Sequence, residues 1–80
     1  MDKKEITNQL TEIFRRILNE DSLVLTGELT ANDVDNWDSL THMLLITEIE
    51  NEFSVKFKLR ELNKMKNVGV LIDIILTKLN

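Results

Sequence analysis

The chain contains neither cysteine nor proline. Without cysteine there is no disulfide framework and no thiolate metal site, so any thiol chemistry needs an imported thiol. Without proline, and with no internal repeat or low-complexity tract, nothing divides the chain, and residues 1–80 are read as a single domain. Apolar runs of membrane-spanning length are also missing. The segment Met1–Asn8 mixes both charge signs and lacks the apolar stretch of a signal peptide. A cytoplasmic location with no membrane partner is the default expectation. Eighty residues bury only about 60% of the surface they expose when unfolded, which leaves no room for a substrate cleft with a catalytic set. A non-enzyme, monomeric domain is expected.

Basic residues are missing from one long stretch. Between Ile17 and Val55 there are nine acids and no Lys or Arg, while the rest of the chain holds five acids and ten bases. The net charge of −4 and pI near 4.9 argue against nucleic acid as a partner. The distribution marks the acidic stretch as a region that meets basic surfaces.

Apolar residues then place the elements. Ile6, Leu10, Ile13, Phe14, Ile17 and Leu18 recur at steps of three and four, the stripe of an amphipathic helix from about Lys3 to Asn19. From Glu20 to Asp38 the period stops and a long loop is predicted. Thr30 and Asp33 have capping-box spacing for one short turn, with Val24, Leu25, Leu29 and Val34 pinning the loop to the core. A second helix opens at Ser39, with Leu45, Ile46, Ile49 and Phe53 on one side, and closes near Ser54–Lys56. Leu59–Asn63 forms a short third helix supported by Phe57, Leu59 and Leu62. Asn67 caps a last helix carrying Val68, Leu71, Ile72, Ile75, Leu76 and Leu79. The fold class is all-α: a four-helix bundle of three longer helices and one short one, with a long loop between helices 1 and 2.

The segment Trp37-Asp38-Ser39-Leu40 sits where the acidic loop runs into the second helix. It resembles the attachment motif of acyl carrier proteins, Asp-Ser-Leu at the start of the second of four helices, and the resemblance covers essentially the whole chain. Leu45-Ile46-x-x-Ile49-Glu50-x-x-Phe53 and Asn67-Val68-x-x-Leu71-Ile72-Asp73 are similar to the family's second and last helices. Three motif positions alone are weak; length, acidity, loop and helix order together are specific.

The resemblance implies that Ser39, flanked by Asp38 and Leu40, receives 4′-phosphopantetheine from coenzyme A through a phosphopantetheinyl transferase. The arm's thiol then carries an acyl group as a thioester. An acyl-loading ligase or acyltransferase and downstream synthase enzymes are the further partners implied, touching Asp35, Trp37, Met43, Leu44, Thr47 and Glu50. A phosphate on Ser39 would lie at the positive end of helix 2. The family tends to have acids where this chain has Thr41, Leu44 and Asn51, so ordinary fatty-acid biosynthesis does not follow; Trp37 is similar to stand-alone carriers of specialised or polyketide-like pathways.

Plainer readings stand beside these. Ser39 alone reads as a helix N-cap, Trp37 as a loop anchor, and Met43 and Leu44 as completion of the core. His42, three residues after Ser39, lacks the third group and oxyanion donors of a nucleophile pair and is read as a polar residue near the arm or half-packed on the loop. Asp33, Asp35 and Asp38 do not make a calcium loop, because its sixth position is Asp38 and its twelfth Leu44. A peptidyl or aminoacyl carrier is the nearest alternative, and a helical interaction module without a prosthetic group the next.

Overall fold

The computed structural model describes residues 1–79; Asn80, the last residue of the expected domain, lies outside the described residues. Four helices follow in order: α1 Lys3–Leu18, α2 Ser39–Phe53, α3 Leu59–Lys64 and α4 Val68–Leu79, with one 3₁₀ turn at Ala31–Asp33 in the loop before α2. No strand occurs among the described residues. The all-α expectation holds, and the helix bounds fall within a residue or so of those read from periodicity.

Local chemistry sets the ends of α1. Asp2 Oδ1 accepts the Glu5 N–H at 2.8 Å and Glu5 Oε1 accepts the Asp2 N–H at 3.3 Å, so each satisfies a donor that a helix start otherwise leaves free. Asn19 stops the helix in the left-handed region at φ 55°, which asparagine tolerates better than most residues. Ser54 does the same at the end of α2, also at φ 55°. Asn67 Oδ1 accepts the Val70 N–H at 2.9 Å, as expected of an N-cap.

α1 packs against α2 and α4. Ile6, Leu10, Ile13, Phe14 and Leu18 from α1, Leu45, Ile49 and Phe53 from α2, and Val68, Leu71, Ile72 and Ile75 from α4 share one buried cluster. α3 covers its edge. Glu61 Oε1 accepts the Lys58 N–H at 2.7 Å and pairs with Lys78 Nζ at 2.8 Å, tying the short helix to α4. Leu59 does not support α3 as expected: it is 74% exposed, and Phe57 and Met65 make the contacts with the core. A helix of under two turns has room inside for only one side of itself.

The long loop is fastened at both ends and in its middle. Arg15 Nε donates to Leu23 O at 2.8 Å and Asn36 Nδ2 donates to Leu18 O at 2.9 Å. Further along, Val68 N–H donates to Leu29 O and Gly69 N–H to Gly27 O, each at 3.0 Å. The chain's two glycines meet here, and a Cβ on Gly69 would lie 3.1 Å from Gly27 O, so any other residue in α4 here would push the loop back by a few tenths of an ångström. Leu25, Leu29 and Val34 do pin the loop to the core. Val24 does not; it is 66% exposed, because its neighbours Leu23 and Leu25 turn inward and leave it facing out.

Candidate functional site

At the entry to α2, Asp38 is the N-cap and Ser39 the first helical residue. Asp38 Oδ1 accepts the Thr41 N–H at 2.9 Å, and Thr41 Oγ1 accepts the Asp38 N–H at 2.9 Å. The expectation that Ser39 caps the helix is therefore corrected. The carboxylate reaches back to the free N–H of the third helical residue, the geometry a cap requires, and Ser39 is left exposed with no part in it. The Thr41 N–H, then its hydroxyl, hold the Asp38 carboxyl below its ordinary pKa. Thr41 Oγ1 also donates to Asn36 O at 2.7 Å, so one threonine closes the cap and fastens the loop that leads into it. The Asp-x-x-Thr spacing carried this signal in the sequence.

Trp37 is buried at 9% exposure and meets Phe14 edge to face, with ring centroids 5.1 Å apart. This is the loop-anchor reading, and it removes Trp37 from the exposed partner-facing set: a large ring between loop and α1 stabilises more by desolvation than it would at the surface. Its indole Nε1 donates to His42 Nδ1 at 3.1 Å. His42 is half-buried, and burial lowers its pKa. No spacing rule links a Trp and a His five apart across a helix start, so the pair was not legible beforehand.

Around Ser39 runs a cleft of about 430 Å³, lined by Trp37, Asp38, Ser39, His42 and Met43 on one side and by Met65, after α3, on the other. Beyond it, α2 presents Leu40, Met43 and Leu44 to solvent at 72%, 55% and 49% exposure. Neither Met43 nor Leu44 completes the core. Asp35 and Thr47 are exposed as well. Glu50 is different from its expected place on a free exposed side: it is half-buried, and its Oε2 accepts the Phe57 N–H at 2.8 Å, which fixes the turn after α2. The acidic stretch is also less isolated than the sequence suggested, because Glu48 pairs with Arg16 at 3.0 Å.

The family model for the "Phosphopantetheine attachment site" matches residues 8–75, a span that contains this whole junction. The chain is similar to the solution structure of a holo acyl carrier protein from Geobacter metallireducens, with 52% identity over 91% of this chain and 84% of that one and a TM-score of 0.87. The chain belongs to the acyl carrier protein family. Among curated proteins none matches.

The covalent group of such a carrier is 4′-phosphopantetheine, and the residues at this junction fit it. An exposed serine hydroxyl is needed that the fold does not itself require, and Ser39 provides one. A phosphodiester there adjoins the positive end of α2. The cleft beside it offers thioether and aromatic surface in Met43, Met65 and Trp37, to which the methyl and methylene parts of the arm can lie close. No described helix is long and apolar enough to cross a membrane.

Proposed function

We propose that Ser39 is the residue that carries the arm, and that the chain is a non-catalytic acyl carrier of a single domain over residues 1–80. In loading, an oxygen–phosphorus bond forms at Ser39 Oγ, the phosphoanhydride bond of coenzyme A breaks, the nucleotide portion leaves, and the hydroxyl proton passes to a base on the transferase. When attached, the arm supplies the thiol that this chain lacks. Asp38 and Thr41 keep the helix start rigid, so that the serine is presented the same way to each enzyme. Leu40 lies next to Ser39 on the exposed side. Acyl groups then pass as thioesters between a loading ligase or acyltransferase and downstream synthase enzymes in the cytoplasm. Fatty-acid-like, polyketide-like and specialised pathways all fit; the apolar surface of α2 favours a specialised one.

The single observation that supports this reading best is the exposed Ser39 at the first position of α2, excused from capping by Asp38. Incubation with coenzyme A and a broad-specificity phosphopantetheinyl transferase, followed by intact-mass and peptide measurements, tests it. One arm on Ser39 is expected, and none on Ser39→Ala, which should change stability by less than about 0.5 kcal/mol because no cap is lost. An arm on Ser22 or Ser54, or no arm at all, refutes it.

Partners are proposed to dock on α2 and the preceding loop. Two acids of that region are engaged internally, Glu48 with Arg16 and Glu50 with the Phe57 N–H. Leu40, Met43 and Leu44 are exposed between Asp35 and Thr47 in the chain. An apolar contact centre with Asp35 and Asp38 at its edge is the arrangement these observations support, with charge steering the encounter.

A further inference from the structure

His42 lies three residues beyond Ser39 in the first turns of α2. Helical side chains lean back toward the helix N-terminus, so its ring covers the turn that begins with Ser39, and both residues line one cleft. The Trp37 and His42 rings are nearly coplanar and lie side by side, with centroids 6.1 Å apart and planes 21° from parallel, as an in-plane N–H···N bond requires. The Trp37 indole nitrogen is a donor only, so His42 Nδ1, which it reaches at 3.1 Å, must be an unprotonated acceptor. The proton of the neutral imidazole is then on Nε2. Phe14 holds Trp37 from the other side, so the tautomer is fixed by a chain of contacts that begins in the core. Burial lowers the pKa of His42, which keeps the neutral form at pH 7. An Nε2 that bears a proton cannot take one from Ser39. It can only donate.

We propose that His42 is a positioning residue for the arm: its Nε2–H donates a hydrogen bond to the phosphodiester on Ser39, and Trp37 sets the tautomer that makes this donation possible. This rests on the reading of Ser39 as the attachment residue. The phosphodiester would thereby gain a neutral donor from the second turn of α2, and the first segment of the arm would leave the protein in one direction instead of many.

Phosphorus NMR of the loaded protein across about pH 5–8 tests this, with nitrogen NMR of the histidine ring alongside. A phosphodiester has no proton to exchange in that range. Asp38, the other titratable group lining the cleft, has its pKa displaced further down, so an inflection in the phosphorus shift reports His42. The wild-type protein should show one inflection that coincides with the titration of the His42 ring followed by nitrogen NMR, and a ring protonated at Nε2 on its high-pH side. His42→Phe should abolish the inflection and move the resonance at pH 7 toward that of the same phosphodiester on a short serine peptide, the remaining difference being the helix start. His42→Gln should also abolish the inflection yet keep most of the wild-type shift at pH 7, because its amide can still donate. Trp37→Phe should mix the two histidine tautomers. A wild-type resonance without an inflection, or an inflection that persists in either His42 variant, overturns the proposal. If His42→Phe does not fold, the pH profile of His42→Gln decides. Intact mass separates the two readings: an absent arm overturns the assignment of Ser39 and this proposal with it, whereas an attached arm with an indifferent phosphorus signal overturns the role of His42 alone.

Discussion

Helices α1 and α2 are nearly equal in length, 16 and 15 residues, and both carry apolar residues at helical spacing, but they direct them to different places. α1 turns its stripe inward: Ile6, Leu10, Ile13, Phe14 and Leu18 are each 3% exposed or less, and Ile17 packs partly buried beside them. α2 divides along its length. Its later turns bury Leu45, Ile46, Ile49 and Phe53, while its first two turns hold Leu40, Met43 and Leu44 in water. An isolated exposed leucine needs no explanation. Three large apolar side chains together beside an exposed serine do, since about half or more of each stays in water, open to contacts outside the chain. α1 is a folding element throughout; α2 changes from an interaction surface to a folding element at about Leu45.

Substitutions should separate these roles, beginning with the largest effect. Phe14→Ala removes a fully buried ring from the centre of the α1 stripe, together with its contact to Trp37. The expected cost is about 3–5 kcal/mol, a large part of the roughly 4–12 kcal/mol typical of a chain this size. Chemical denaturation monitored by the lone tryptophan measures it, and a cost below about 1 kcal/mol would mean that α1 is not the keel of the fold. Glu50→Lys probes the inward half of α2. It leaves the Phe57 N–H without its acceptor and should cost about 1–3 kcal/mol, with Glu50→Gln retaining most of the stability because an acceptor remains. Equal losses from both would show that charge, not the hydrogen bond, is what matters there. Leu44→Glu, in the outward half, should change stability by less than about 0.5 kcal/mol but slow transfer of the arm onto Ser39, at high salt as well as low. Should salt abolish the difference from wild type, docking is electrostatic and the apolar surface of α2 is incidental.

The three longer helices were legible because each has enough turns for a stripe to repeat and a polar residue at its start to satisfy free N–H groups. Asn67 and the Thr30/Asp33 pair are read from the sequence; the Asp2 cap comes from the structure. Ser39 is singled out by motif and position, but its local role as a cap is not the one the structure shows: two candidate caps stand side by side, and only the reciprocal partner Thr41 distinguishes Asp38 from its neighbour. Glu50 appeared to be one more surface acid because sequence spacing does not reveal that the chain turns back to place Phe57 N–H at its carboxylate. The Trp37–His42 bond and the exposure of Val24 were illegible for a related reason. Both are set by how an irregular loop lies on the bundle, and a loop has no period from which to read direction.

The meeting of Gly27 and Gly69 bears on the order in which the molecule is made. The carbonyls of Gly27 and Leu29 find their donors only at Val68 and Gly69, residues far later in the chain, so the loop cannot be seated before the start of α4 exists. Contacts between such distant positions form late, because the intervening chain must first be closed into a ring. During synthesis the middle of the loop, at Gly27 and Leu29, therefore stays unseated until the start of α4 has been made, although Asn36 and Trp37 can already be held by α1. A transferase that recognises the seated loop would meet its substrate only once the start of α4 is in place.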